Sequence, residues 1–245
     1  MLPFRPMRRS WFHALVGWLL ASRDRSFAEF GEFAVLLKSL EPRVPVPLVL
    51  LSMRGDEVSG VLDGVEQAAS RADPTAAIEA MFASPNWRPH LIAAVALLSD
   101  KGRQLDPSGL WRAVDAGSWV TPQLIATAYL IDPGFPERLR ERIEAGCPIV
   151  VPPKLSAAAR HTASGPASVE ERSAKLLASL LRIGARVPSL ASYLQGASRR
   201  QRVAALLAAD RDQSGNIADN WLNNLTRQYQ SRKGLPRPGA LRRPG

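Results

Sequence analysis

Apolar positions recur at three- and four-residue steps along most of the chain, and proline and glycine punctuate them. Phe27, Phe30, Phe33, Leu37 and Leu40 keep this step behind Ser26 and Glu29, which are spaced as a capping box. The spacing predicts a helix whose Phe face is core. Pro42, Pro45 and Pro47 end it and force an extended elbow. After the elbow, short apolar runs begin just past a proline: Pro47, Pro89, Pro122, Pro153 and Pro188. Proline in a first helical turn costs little, because that N–H has no intrahelical acceptor. Aromatic or branched residues precede three of these runs: Trp87, Trp119 with Val120, and Val187. A second set of helix starts lies between them at Asp73-Pro74, Asp106-Pro107 and Asp132-Pro133, each a capping Asp followed by Pro. Leu110–Gly117 parallels Leu139–Gly146, and glycine just past the last apolar residue marks a helix end. Ser168 to Glu171 and Ser198 to Gln201 are two further capping boxes, predicting helices near 169–183 and 199–209. Strand signals are poor; Cys147–Val151 is the best β-like run.

Helix, loop, helix, glycine, proline is therefore the repeating order, in hairpins of about 30–40 residues. A hairpin of that size cannot bury its apolar side alone and must stack on its neighbours. Small residues at Ala93, Ala94, Ala126, Ala128, Ala157, Ala158 and Ala159 let such helices approach closely. Over residues 42–209 the pattern resembles HEAT-like α-helical repeats, with a shorter and more variable period than their usual 40–47 residues. That resemblance is to an architecture. It implies an all-α solenoid, a right-handed stack of about five hairpins offering a concave surface for partners. The expected organisation is a basic helical segment at 1–25, a repeat domain at 26–229, and a disordered basic tail at 230–245.

Charge is unevenly placed. The 245 residues carry a formal +10, yet residues 26–220 hold 21 cations and 21 acids. Residues 1–25 carry five Arg against one Asp, and residues 221–245 carry six cations and no acid. Basic ends on a neutral body suit either an anionic partner or simple solubility. The only cysteine, Cys147, excludes a disulfide scaffold and agrees with a cytoplasmic setting. No apolar run reaches the roughly 18 residues of a membrane span. Trp11–Ala21, behind Arg5, Arg8 and Arg9, has the layout of a signal peptide and resembles a twin-arginine export signal. His13, two Trp and the lack of a small-residue cleavage site favour a short buried or interfacial helix, which leaves membrane-surface attachment through residues 1–25 open.

Candidate chemistry is sparse. Asp210, Asp212, Ser214, Gly215 and Ile217 resemble the start of an EF-hand calcium loop, with oxygen ligands at the first, third and fifth positions. The twelfth position is Trp221 rather than a bidentate Glu, and Asp219 falls two residues early. The plainer expectation is a polar helix–helix turn with Asp and Ser caps. Trp111 and Asp115 share a helix face, with Arg112 and Trp119 nearby. In residue type this resembles HEAT-like DNA glycosylases for alkylated bases, which use an acid among aromatics and Arg; the plainer expectation is a core Trp and a solvated Asp. His13, His90 and His161 follow no metal spacing, and phosphate-cradling and hydrolase-elbow motifs are absent from the sequence. His90, in a first helical turn, reads as a surface or internally satisfied residue, and Cys147 as packing. No catalytic, cofactor-binding or metal residue is assigned. The sequence points to a non-catalytic protein-binding or scaffold α-solenoid. A nucleic-acid-binding α-solenoid, with or without alkyl-base glycosylase-like chemistry and with its basic termini on the nucleic acid, is one alternative; a peripheral membrane-associated helical protein is the other.

Overall fold

Proline and the Asp ahead of it set helix starts as the spacing predicts. Asp73 Oδ1 accepts the Thr75 N–H at 3.0 Å, Asp106 Oδ1 the Ser108 N–H at 3.0 Å, and Asp132 Oδ1 the Gly134 N–H at 2.8 Å. Each carboxylate satisfies an amide that the first turn leaves without a partner. The computed structural model describes residues 27–38, 45–71, 73–150, 168–198 and 200–233. The basic segment 1–25, the run led by Pro153 and residues 234–245 lie outside them.

A 3₁₀ segment, Phe27–Phe33, runs into α1 (Ala34–Lys38). The continuous helix predicted there is interrupted because Gly31 takes φ +51°, though Phe30 and Phe33 are buried as expected. Then follow α2 (Val46–Ser52), α3 (Glu57–Arg71), α4 (Thr75–Ala83), α5 (Trp87–Ala96), α6 (Ser108–Asp115), α7 (Thr121–Ile131) and α8 (Phe135–Ala145). The C-terminal part holds α9 (Val169–Gly184), α10 (Ala191–Ser198), α11 (Gln201–Ala208) and α12 (Ser214–Lys233). All regular structure among the described residues is helical; Cys147–Val150 forms no strand. No helix among them is long and apolar enough to cross a membrane.

Of the three predicted capping boxes, that of Ser26 lies outside the described residues, one is present and one is not. Ser168 and Glu171 exchange side-chain and backbone bonds at 3.1 and 2.8 Å. Ser198 still belongs to α10, where its hydroxyl donates to Leu194 O at 2.8 Å, and Arg200 takes the position ahead of α11. A residue with helical backbone cannot turn its side chain onto the amides of the next helix.

The centre of the molecule is built on α5 and α7, which are buried on every side over most of their length. Every α5 residue from Arg88 to Ala96 and every α7 residue from Thr121 to Ala128 is buried. Such helices fit only where neighbours cover every side. The sequential pairs α4–α5 and α6–α7 pack in order, and α5 lies against α7. The described arrangement departs from an open stack at its end. In a solenoid each hairpin touches only its neighbours. Here α12 packs on α7 and α9 and also returns to α2 and α3.

That return is specified by polar groups at the C-terminus of α2, where helix carbonyls lack intrahelical donors. Trp221 Nε1 donates to Leu50 O at 2.8 Å, Gln123 Nε2 to Leu51 O at 3.4 Å, and Asn224 Nδ2 to Ser52 O at 3.1 Å. Three consecutive carbonyls are thus served by side chains from α7 and α12. Further along α12, Arg232 pairs with Asp63 and with Glu66 on α3. The tail predicted to begin at residue 230 is accordingly helical through Lys233. It has no apolar periodicity of its own; Tyr229 burial and the Arg232 pairs hold it.

Candidate functional site

Two tryptophans that precede proline-led helices come together at one end of the central pair. Asn86 caps α5, its Oδ1 accepting the Arg88 N–H at 3.1 Å, and this places Trp87 at the head of the helix. α6 ends in a glycine turn: Gly117 takes φ +72°, and Ser118 N–H reaches Ala113 O at 3.1 Å. Trp119 follows. The two indole rings lie 5.0 Å apart, tilted by 48°.

The turn carrying Trp119 is pinned from beneath. His90 is buried, with Nε2 2.9 Å from Ser84 O and Nδ1 2.8 Å from Ser118 Oγ. A carbonyl only accepts, so Nε2 carries the proton and Nδ1 accepts from the Ser118 hydroxyl. Burial drives the imidazole pKa down to about 4, against which hydrogen bonds to the Ser84 and Phe82 backbone act only partly. Thr121 Oγ1 donates to Ser118 O at 2.6 Å and fixes the other side of the turn.

Exposed apolar side chains lie on the segments that meet near this turn. Trp119 is 47% exposed, Val150 65% and Val169 57%. Val150 is held by its N–H on Asp115 O at 2.8 Å. Gly117 is the close-approach point: a Cβ there would stand 2.8 Å from Arg172 Cδ and 2.9 Å from Ile149 Cγ2. The Arg172 stem therefore lies along the turn. Lys175 Nζ sits 5.8 Å from the Trp119 ring centre, and Arg88 Cζ 5.6 Å from that of Trp87.

Trp111 and Asp115, the pair resembling glycosylase residues, do not share this surface. Trp111 is core, donating to Asp132 Oδ2 at 2.7 Å, with the Arg142 guanidinium 4.1 Å from its ring centre. Arg142 also grips Asp115 through two bonds of 2.8 and 2.7 Å. Asp115 is partly solvated as expected and also paired, so its charge is matched where a reacting acid would need it available. The calcium-like run is likewise used structurally. Asp210 accepts the Ser214 N–H and hydroxyl at 2.8 and 2.7 Å, capping α12. Asp212 pairs with Lys175 at 3.0 Å, Asp219 with Arg182 and Arg186, and Trp221 is buried. Among the described residues no group of three or more His, Cys, Asp or Glu is placed to hold a metal.

Cys147 is fully buried with φ +52°, and burial pushes its thiol pKa up to about 12. It borders a cavity of about 80 Å³ beside Ile143, Leu177, Arg200, Arg202 and Val203. Ligand pockets usually span about 300–1,000 Å³, so this one suits a few waters. His13 and His161 lie outside the described residues.

Sequence reasoning singled out Trp111 and Asp115 and passed over the Trp87–Trp119 pair as a surface. The available signal was positional: each Trp stands just before a proline-led run, one repeat apart. Comparison with known protein families, curated proteins and solved structures finds no match to this chain, so its function is argued from this surface.

Proposed function

We propose that the chain is a non-catalytic protein-binding or scaffold module of the cytoplasm, built of stacked helical hairpins and recognising a protein partner through the surface around Trp119. The exposed indole of Trp119, on a turn already fixed by His90 and Thr121, carries this reading. Tryptophan is enriched among residues that dominate binding energy, since it buries a large area while keeping one polar edge. A turn held rigid before binding loses little further freedom when the partner arrives.

Many arginines of the body are matched by acids, which leaves fewer cations there for phosphate. Arg71, Arg112, Arg138, Arg142, Arg182 and Arg186 are each paired with Asp or Glu. Phosphate binding needs cations available to displace counterions. Selection of a random peptide library displayed on phage against the whole chain tests the reading. Selected peptides should bind Trp119→Ala about tenfold more weakly or worse. Binders indifferent to Trp119→Ala, or salt-sensitive binding of a single-stranded oligonucleotide in place of any peptide, would overturn it.

A further inference from the structure

We infer that the Trp119 surface receives an acidic peptide segment with aliphatic side chains, a carboxylate of which faces Arg172. This rests on the protein-partner reading above and adds the chemistry of the partner. From α9, Arg172 lies against Gly117 and Lys175 against the Trp119 ring, one turn apart on the helix. Both are cations. Lys175 is matched by Asp212 at 3.0 Å. The arginines of α6 and α8 nearest this end, Arg112 and Arg142, are matched by Glu79 and Asp115. Arg172 has no ion-pair partner among the described residues, and its stem is fixed by the close approach to Gly117. The neighbouring acid Glu171 is committed to the Ser168 amide. An unpaired guanidinium on the stem that lies along the Gly117 turn, with exposed Trp119 two residues on, complements a carboxylate next to an apolar side chain, and guanidinium–carboxylate pairs are favoured by geometry as well as charge.

A single-stranded nucleic acid would also bring anions, but it binds aromatics by stacking bases on open ring faces. The Trp119 ring already has Lys175 Nζ at 5.8 Å and the Trp87 ring at 5.0 Å. Lys175 and Trp87 thus compete with a base for the indole faces.

The same phage selection, read for composition and repeated on variants, tests the assignment. Recovered peptides should be enriched in Asp or Glu beside Leu, Ile or Val. Their binding should weaken about tenfold with Arg172→Glu, less with Arg172→Gln, and also on raising the salt concentration. Far-ultraviolet circular dichroism on both variants checks that α9 is intact, and Arg172→Gln serves alone if Arg172→Glu does not fold. Peptides without acids, lost with Trp119→Ala but unchanged by the Arg172 variants, overturn this inference and leave the protein-binding surface standing. Peptides unaffected at both positions, or a library that yields no binder, overturn both.

Discussion

His90 carries two polar contacts in a place that water does not reach, and this gives the fold a defined acid response. Its pKa falls from an ordinary 6.5 to about 4 on folding, chiefly by burial. A group whose folded pKa is lowered stabilises the fold fully above its unfolded value, and that contribution is lost as pH falls through the folded value. The window is therefore pH 6.5 down to about 4, with a total of about 3 kcal/mol at roughly 1.4 kcal/mol per unit. Asp219 acts lower. Burial pushes it up, but hydrogen bonds and charge from Arg186 and Arg182 outweigh this, so its pKa sits below the ordinary 3.8. Its contribution is present above that value and drains only beneath it. Urea midpoints measured across pH should fall between 6.5 and 4 for the natural chain. His90→Gln keeps a donor and an acceptor without a titrating group, and its midpoints should be flatter across that window. Parallel pH curves for the two proteins would contradict the role given to His90.

At the scale of the helix, identical letters do different work. Ser168–Glu171 and Ser198–Gln201 both read as capping boxes, yet only the first precedes its helix with extended backbone, Ser168 having ψ 159°. Ser168→Ala should cost about 1 kcal/mol of unfolding free energy. Ser198→Ala should cost only a few tenths, since its hydroxyl turns back onto Leu194 O within α10. Denaturant titrations of the two variants decide the matter, and equal losses would refute the assignment. The Asp-Pro starts were legible because a cap and its amide sit two residues apart. The ends at Gly117 and Gly146 were legible for the same reason, both having positive φ. Gln201 misled because the state of Ser198 depends on how far α10 extends, which no local spacing records.

For the molecule as a whole, α12 ties helices from the early and late parts of the chain together. It covers α7 and α9 and reaches back to α2 and α3, where Trp221 and Asn224 satisfy the carbonyls of Leu50 and Ser52. A chain ending at residue 213 would expose the buried faces of α7 and α9 and leave those carbonyls without donors. Its thermal transition should be broad or absent, and amide exchange should be fast even in α2 and α5. In a nearest-neighbour stack, losing the last helix would leave the early hairpins nearly as protected as before. Retained sharp unfolding and slow exchange in α5 would show that this tie contributes little. The Trp119 surface belongs to this scale too. Its indoles come from adjacent hairpins and its cations from α9, so no contiguous stretch could announce it.

The sequence by itself determined the helical class, most helix starts and stops, and which faces are apolar, because capping, proline geometry and hydrophobic period act over a few residues. It also determined that Trp111 and Cys147 are core. Only the tertiary structure decided that α12 closes onto α2 and α3, that Asp115 is gripped by Arg142, and that Trp87 meets Trp119 beside Arg172. Those outcomes depend on contacts between residues tens to more than a hundred positions apart, and the loops between them set a geometry that periodicity does not encode.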